Sequence, residues 1–103
     1  MTQLIQILVP RFDQAGNAFE ARSFEEIKQE LVQQFGGVTA YVRASAQGLW
    51  KAESGEVVSD EVAVFEVMAE EVDADWWDSY RKQLEQRFDQ DEIVIRASSI
   101  RRL

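Results

Sequence analysis

Cysteine and histidine are both absent from the 103 residues. Without cysteine there is no thiol nucleophile, no disulfide and no thiolate metal ligand. Without histidine there is no Ser-His-Asp or Cys-His catalytic unit and no Cys/His zinc or haem site. No side chain titrates naturally near neutral pH, so acid–base catalysis would fall to a carboxylate, lysine or tyrosine in a shifted environment. Long apolar runs are missing as well, so no segment reads as a membrane span. The first residues, Met1 to Val9, carry neither a basic leader nor a long apolar core, and a cytoplasmic setting is the expectation.

Bases are few. Nineteen acids against 11 Lys and Arg give a net charge of −8. Such a chain is a poor match for a phosphate backbone or an anionic membrane surface, so neither nucleic acid nor membrane is expected as a partner. The charge is uneven. Between Lys51 and Arg81 stand ten acids and no base, while Arg96, Arg101 and Arg102 crowd the C-terminal region. The acids from Asp60 to Asp78 lack the glycine turn of an EF-hand loop, so they read as a solvated surface, and no metal or cofactor is expected. Gly36-Gly37 follows a helix pattern instead of preceding one, unlike a phosphate loop.

What is present is a folding pattern. Hydrophobic residues make up 46% and charged residues 29%, ordinary for a globular domain able to bury a core. Residues 3–10 read as a strand ended by Pro10. Ser23 with Glu26 has the spacing of a capping box, and Phe24, Ile27, Leu31 and Phe35 share one helix face up to Gly36-Gly37. Val38 to Ala46 alternate as a strand. Residues 47–60, with a turn signal at Ser54-Gly55, read as a strand extension or β-arm. Residues 61–70 form a third strand. Asp73 or Asp75 caps a second helix with Trp77, Tyr80, Leu84 and Phe88 on one face. Ile93-Val94-Ile95 is the last strand.

The order is β-α-β-β-α-β. Sliding residues 24–45 onto 77–98 matches Leu31 with Leu84, Gln33 with Gln86, Phe35 with Phe88, and Arg43-Ala44-Ser45 with Arg96-Ala97-Ser98. The expectation is one domain, 1–103, of two pseudo-repeated halves, roughly 1–46 and 57–103, joined by the β-arm. On these features the chain resembles the ferredoxin-like superfold and, more narrowly, the small bacterial proteins of the dimeric α/β-barrel superfamily. That resemblance implies an α+β sandwich: an antiparallel sheet in order 4-1-3-2 with both helices on one face. The catalytic histidines of that superfamily's enzymes have no counterpart here, and fold alone transfers no activity.

If the helices cover one sheet face, the other displays Leu4, Gln6, Leu8, Thr39, Tyr41, Arg43, Val64, Glu66, Met68, Val94 and Arg96. That is too apolar for an open surface, so a homodimer is expected to cover it. Leu4, Leu8 and Met68, with Trp50 from the β-arm, are the interface candidates. Across the sheet the polar row is expected to read Arg96, Gln6, Glu66, Arg43, beside Tyr41. The row fits an ionic girdle in an interface, the favoured reading. It also fits a pocket for a small anionic or polar ligand, with arginine as the fork for a carboxylate. Glu66 is the one plausible base there and Tyr41 the nearby phenol. Trp77 has the phase of the core; Trp76 falls off the stripe.

Two functions follow. The first is a non-catalytic, homodimeric domain for assembly or interaction. The second is a small-molecule-binding protein or cofactor-independent enzyme with its pocket on the sheet face. A regulatory ligand-binding module is a third use of the fold, without a supporting motif.

Overall fold

The computed structural model describes the backbone of residues 1–51 and 57–103, and the side chains outside 42–60. The elements are β1 (Thr2–Pro10), α1 (Ala21–Phe35), β2 (Thr39–Lys51), β3 (Val57–Ala69), α2 (Ala74–Arg87) and β4 (Val94–Ile100). The four strands form one antiparallel sheet in the order β2-β3-β1-β4, which is 4-1-3-2 read from the other edge. This is the expected ferredoxin-like α+β architecture.

Strand alternation decides which residues enter the core, because successive side chains point to opposite faces. On β1, Ile5, Ile7 and Val9 are buried; on β3, Ala63, Phe65 and Val67 are buried. α1 adds Phe24, Ile27 and Leu31, and α2 adds Trp77, Tyr80 and Leu84, all in the same apolar cluster. Their three- and four-residue spacing is what a helix needs to lay one stripe on a sheet. Phe88 and Ile93 close the core after α2, and Phe19 packs edge-on against Phe88 at 4.9 Å. Burying each large side chain contributes about 1.5–3 kcal/mol of transfer free energy.

The helix ends follow local chemistry. α1 stops where Gly36 takes a left-handed φ of 84°, and its amide donates to the Val32 carbonyl at 2.8 Å. α2 starts at Asp73, whose carboxylate accepts from the Trp76 amide at 3.1 Å. Asp75 in its first turn and Arg87 in its last both suit the helix dipole.

Two expectations are corrected. α1 begins at Ala21 with Glu20 as N-cap and no side-chain cap, so the Ser23–Glu26 capping box does not form. Ser23 lies inside the first turn, its amide donating to the Glu20 carbonyl at 3.0 Å. Ala21 and Arg22 are good helix formers and extend the helix past the weaker signal. The last strand is longer than Ile93–Ile95 and runs to Ile100, pairing with β1 as far as Thr2.

β2 continues to Lys51, paired with Val57 on β3, so residues 47–51 and 57–60 prolong the hairpin as strand. The Ser54-Gly55 turn signal falls outside the described residues. Between Tyr41↔Val64 and Ala46↔Val62 the register slips, β2 carrying the extra residues of a bulge. No helix among the described residues is long and apolar enough to cross a membrane.

Candidate functional site

The sheet face turned away from the helices is organised in rows. The register places Tyr41, Val64, Leu8 and Val94 side by side across all four strands. This apolar row has Tyr41 and Val94 each 45% exposed. The next row is Thr39, Glu66, Gln6 and Arg96. Beyond it stand Met68, Leu4 and Ser98, with Met68 49% exposed. A polar stripe thus runs between two stripes with apolar side chains.

The polar stripe is a hydrogen-bonded chain. The Gln6 amide nitrogen donates to Glu66 Oε1 at 2.8 Å, and Arg96 Nε donates to the Gln6 amide oxygen at 2.8 Å. The donor end of the amide faces the carboxylate and the acceptor end faces the guanidinium, the orientation that the charges require. Gln6 therefore couples Arg96 and Glu66 without a direct ion pair between them.

Of the residues proposed from sequence, the structure brings Gln6, Glu66 and Arg96 together in one row. Tyr41 stands in the adjacent apolar row. Thr39, not Arg43, is opposite Glu66. β2 joins the ladder at Thr39, and Arg43 lies inside the bulge that follows Tyr41, so simple alternation misplaces it. The side chains of Arg43 and Trp50 lie outside the described residues. Leu4 and Leu8 are half-buried on this face beside the more open Met68.

One end of the face opens into a notch of about 440 Å³ lined by Leu4, Gly36, Gly37, Thr39, Glu66 and Met68, with Val38 and Val67 behind. It exists because β2 pairs with β3 only from Thr39↔Glu66, leaving β3 unpaired on that side from Val67 to Ala69. Gly36-Gly37 forms the opposite wall. A Cβ on either glycine would meet nothing within 4 Å, so the space before them is open. The double glycine was the sequence signal for this notch, although it reads first as a helix stop.

A second polar cluster went unrecognised in the sequence. On the outer side of the helices, Arg87 grips Glu30 with two hydrogen bonds of 2.6 Å each, and the Tyr80 hydroxyl donates to Glu30 Oε1 at 3.2 Å. The Arg87 hydrogen bond holds the Glu30 carboxyl below its ordinary pKa. Burial, then the Glu30 charge, pushes the Tyr80 phenol well above its own. The available signal was Tyr80 itself, a buried phenol that needs a polar partner. A groove of about 540 Å³ beside this cluster is lined by Trp76, Ser79 and three glutamines, Gln33, Gln34 and Gln83. Trp76 stacks on Tyr80 at 4.9 Å and meets Phe35 and Trp77 edge-on, so its ring belongs to an aromatic cluster between the helices. Trp77 is core, 6% exposed. Among the described residues no three carboxylates converge as a metal site.

No family model matches the sequence, and no curated protein matches it. Solved structures do match in shape. A phage SAM lyase in complex with S-methyl-5′-thioadenosine superposes with a TM-score of 0.66 at 11% identity, covering 95% of this chain and 81% of that one. A divalent cation tolerance protein from Thermus thermophilus superposes with a TM-score of 0.63 at 17% identity, covering 97% of this chain and 84% of that one. At these identities the likeness shows the fold: the chain is an α+β protein of ferredoxin-like architecture. The two neighbours carry unlike descriptions on one scaffold, which is why the site and not the fold must carry a function.

Proposed function

We propose that the protein is a small homodimeric domain whose uncovered sheet face is an assembly surface, with no catalytic role. The observation that carries this is the row pattern of the face. Tyr41, Val64, Leu8 and Val94 form an apolar row four strands wide, and exposed apolar surface of that continuity favours burial against a partner. The polar row beside it is bridged within one copy by Gln6, which leaves the apolar row as the surface an isologous partner would bury. The same proposal treats residues 1–103 as one domain in a cytoplasmic setting.

The test is sedimentation equilibrium of the wild type beside Met68→Glu/Val94→Glu. The wild type is expected at twice its 11.9 kDa chain mass, and the variant at the chain mass with an unchanged circular dichroism spectrum. A wild type at the chain mass at every concentration contradicts the proposal.

The notch at the end of the face favours a second reading, a small-molecule-binding protein. Its volume is at the lower end of the ~300–1,000 Å³ usual for ligand pockets. It gathers Glu66 and Thr39 but not Tyr41, so the two candidate proton-transfer groups do not line one cavity. Binding rather than catalysis is what this arrangement supports.

A further inference from the structure

We infer that the notch between Gly36-Gly37 and β3 is a binding site for a small primary amine with an apolar body. The inference rests on the second reading above, that the notch holds a ligand, and adds the ligand's charge and shape.

Charge comes first. Among the described residues Glu66 is the only ionisable side chain lining the notch. Arg96, the base that sequence reasoning offered to an anionic ligand, is two strands away and directs its Nε at Gln6. An anion placed in the notch would therefore meet a carboxylate and no guanidinium from its lining. A cation meets the reverse. The Gln6 amide occupies Glu66 Oε1, and no hydrogen bond among the described residues uses Oε2. Among the described residues that oxygen is left as a charge-assisted acceptor.

The surroundings define the shape of the cation. An ammonium carries three N–H donors and needs acceptors set around it. Glu66 Oε2 supplies one and the Thr39 hydroxyl, in the same row, a second. β3 past Glu66 has no β2 neighbour, and no backbone hydrogen bond among the described residues joins 36–38 to 67–69, which leaves main-chain carbonyls available as a third. A planar guanidinium gains most from a bidentate carboxylate, but one oxygen of Glu66 is already taken. A compact ammonium loses nothing by that. The rest of the lining is apolar. Leu4 and Met68 belong to it, and Met68 is an unbranched, adaptable side chain suited to an alkyl ligand. The open space before Gly36 and Gly37 admits the body of the ligand without displacing a side chain.

Hexylamine, hexanol and hexanoate test this, because they share an alkyl body and differ at the head. Titration is followed by the backbone amide signals of Gly36, Gly37, Thr39 and Met68 in the full chain. Hexylamine is expected to shift them saturably, hexanol to bind at least tenfold more weakly, and hexanoate to leave them unmoved. Glu66→Gln keeps an acceptor for Gln6 and removes the charge. It is expected to weaken hexylamine at least tenfold while leaving the thermal midpoint and the sedimentation mass at wild-type values. Equal binding of hexanol and hexylamine would overturn the amine assignment and leave the notch reading standing. Hexanoate binding as well as hexylamine, or Glu66→Gln binding hexylamine like the wild type, would also overturn it. No saturable shift with any of the three would overturn both the assignment and the notch reading.

Discussion

Glu30 and Arg87 lock the middle of α1 to the last residue of α2 through two parallel hydrogen bonds of 2.6 Å. The pair is the polar counterpart of the apolar stripes beneath it, and Tyr80 ties it to the core. It is about a third exposed, so solvent screening limits its worth to roughly 0.5–1 kcal/mol. Glu30→Gln is expected to lose that amount at neutral pH in urea unfolding. The Arg87 hydrogen bond lowers the folded-state pKa of Glu30 from its ordinary 4.5, so the contribution is present above that value and disappears as pH falls through the folded one. The gap between wild type and variant should therefore close in acid.

Tyr80 acts at the other end of the pH scale. Its folded-state pKa lies above the ordinary 10.0, because burial and then the Glu30 charge oppose the phenolate. The unfolded chain ionises first. Stability from this group is whole below pH 10 and declines as pH rises beyond it. Tyr80→Phe is expected to flatten that alkaline decline, measured by urea unfolding across the alkaline range. An equally steep decline in the variant would assign it to other groups.

Leu31 and Leu84 hold the same place on their two helices, and both are wholly buried. Leu31→Ala and Leu84→Ala should each cost about 2–5 kcal/mol, the range for truncating a core leucine. Similar losses at the two sites, read by urea unfolding, would show that the two helices bear on one core alike. A loss confined to one site would show that the sequence echo has no energetic equivalent.

Gly36 and Gly37 are adjacent and serve different purposes. Gly36 has a φ of 84°, and open space does not relieve that strain for an L side chain. Gly36→Ala should cost about 1–2 kcal/mol. Gly37 has neither a positive φ nor a neighbour within 4 Å of a Cβ, so Gly37→Ala should leave stability within about 0.5 kcal/mol of the wild type. Thermal melts of the two variants check both values.

The fold was legible because its signals are periodic. Two-residue alternation in β1 and β3 sends Ile5, Ile7, Phe65 and Val67 inward, and the 3.6-residue period places Leu31 and Leu84. Features set by single steric events were not. The bulge after Tyr41 removes Arg43 from the row of Glu66 and leaves Thr39 in its place. No alternation pattern announces an insertion in one strand. The Gln6 bridge needed the register of three strands at once. The start of α1 was misplaced because a good capping pattern lost to the helix propensity of the residues before it. The Glu30–Arg87 pair joins residues 57 apart, a relation fixed only by how the two helices lie together.

The central claim is that a second copy covers the face of Tyr41, Val64, Leu8 and Val94. Sedimentation equilibrium over a wide concentration range tests it most directly. A mass of twice 11.9 kDa, falling to the chain mass in Met68→Glu/Val94→Glu, is the result expected. A constant 11.9 kDa in the wild type, or a doubled mass that the two substitutions leave intact, would contradict it.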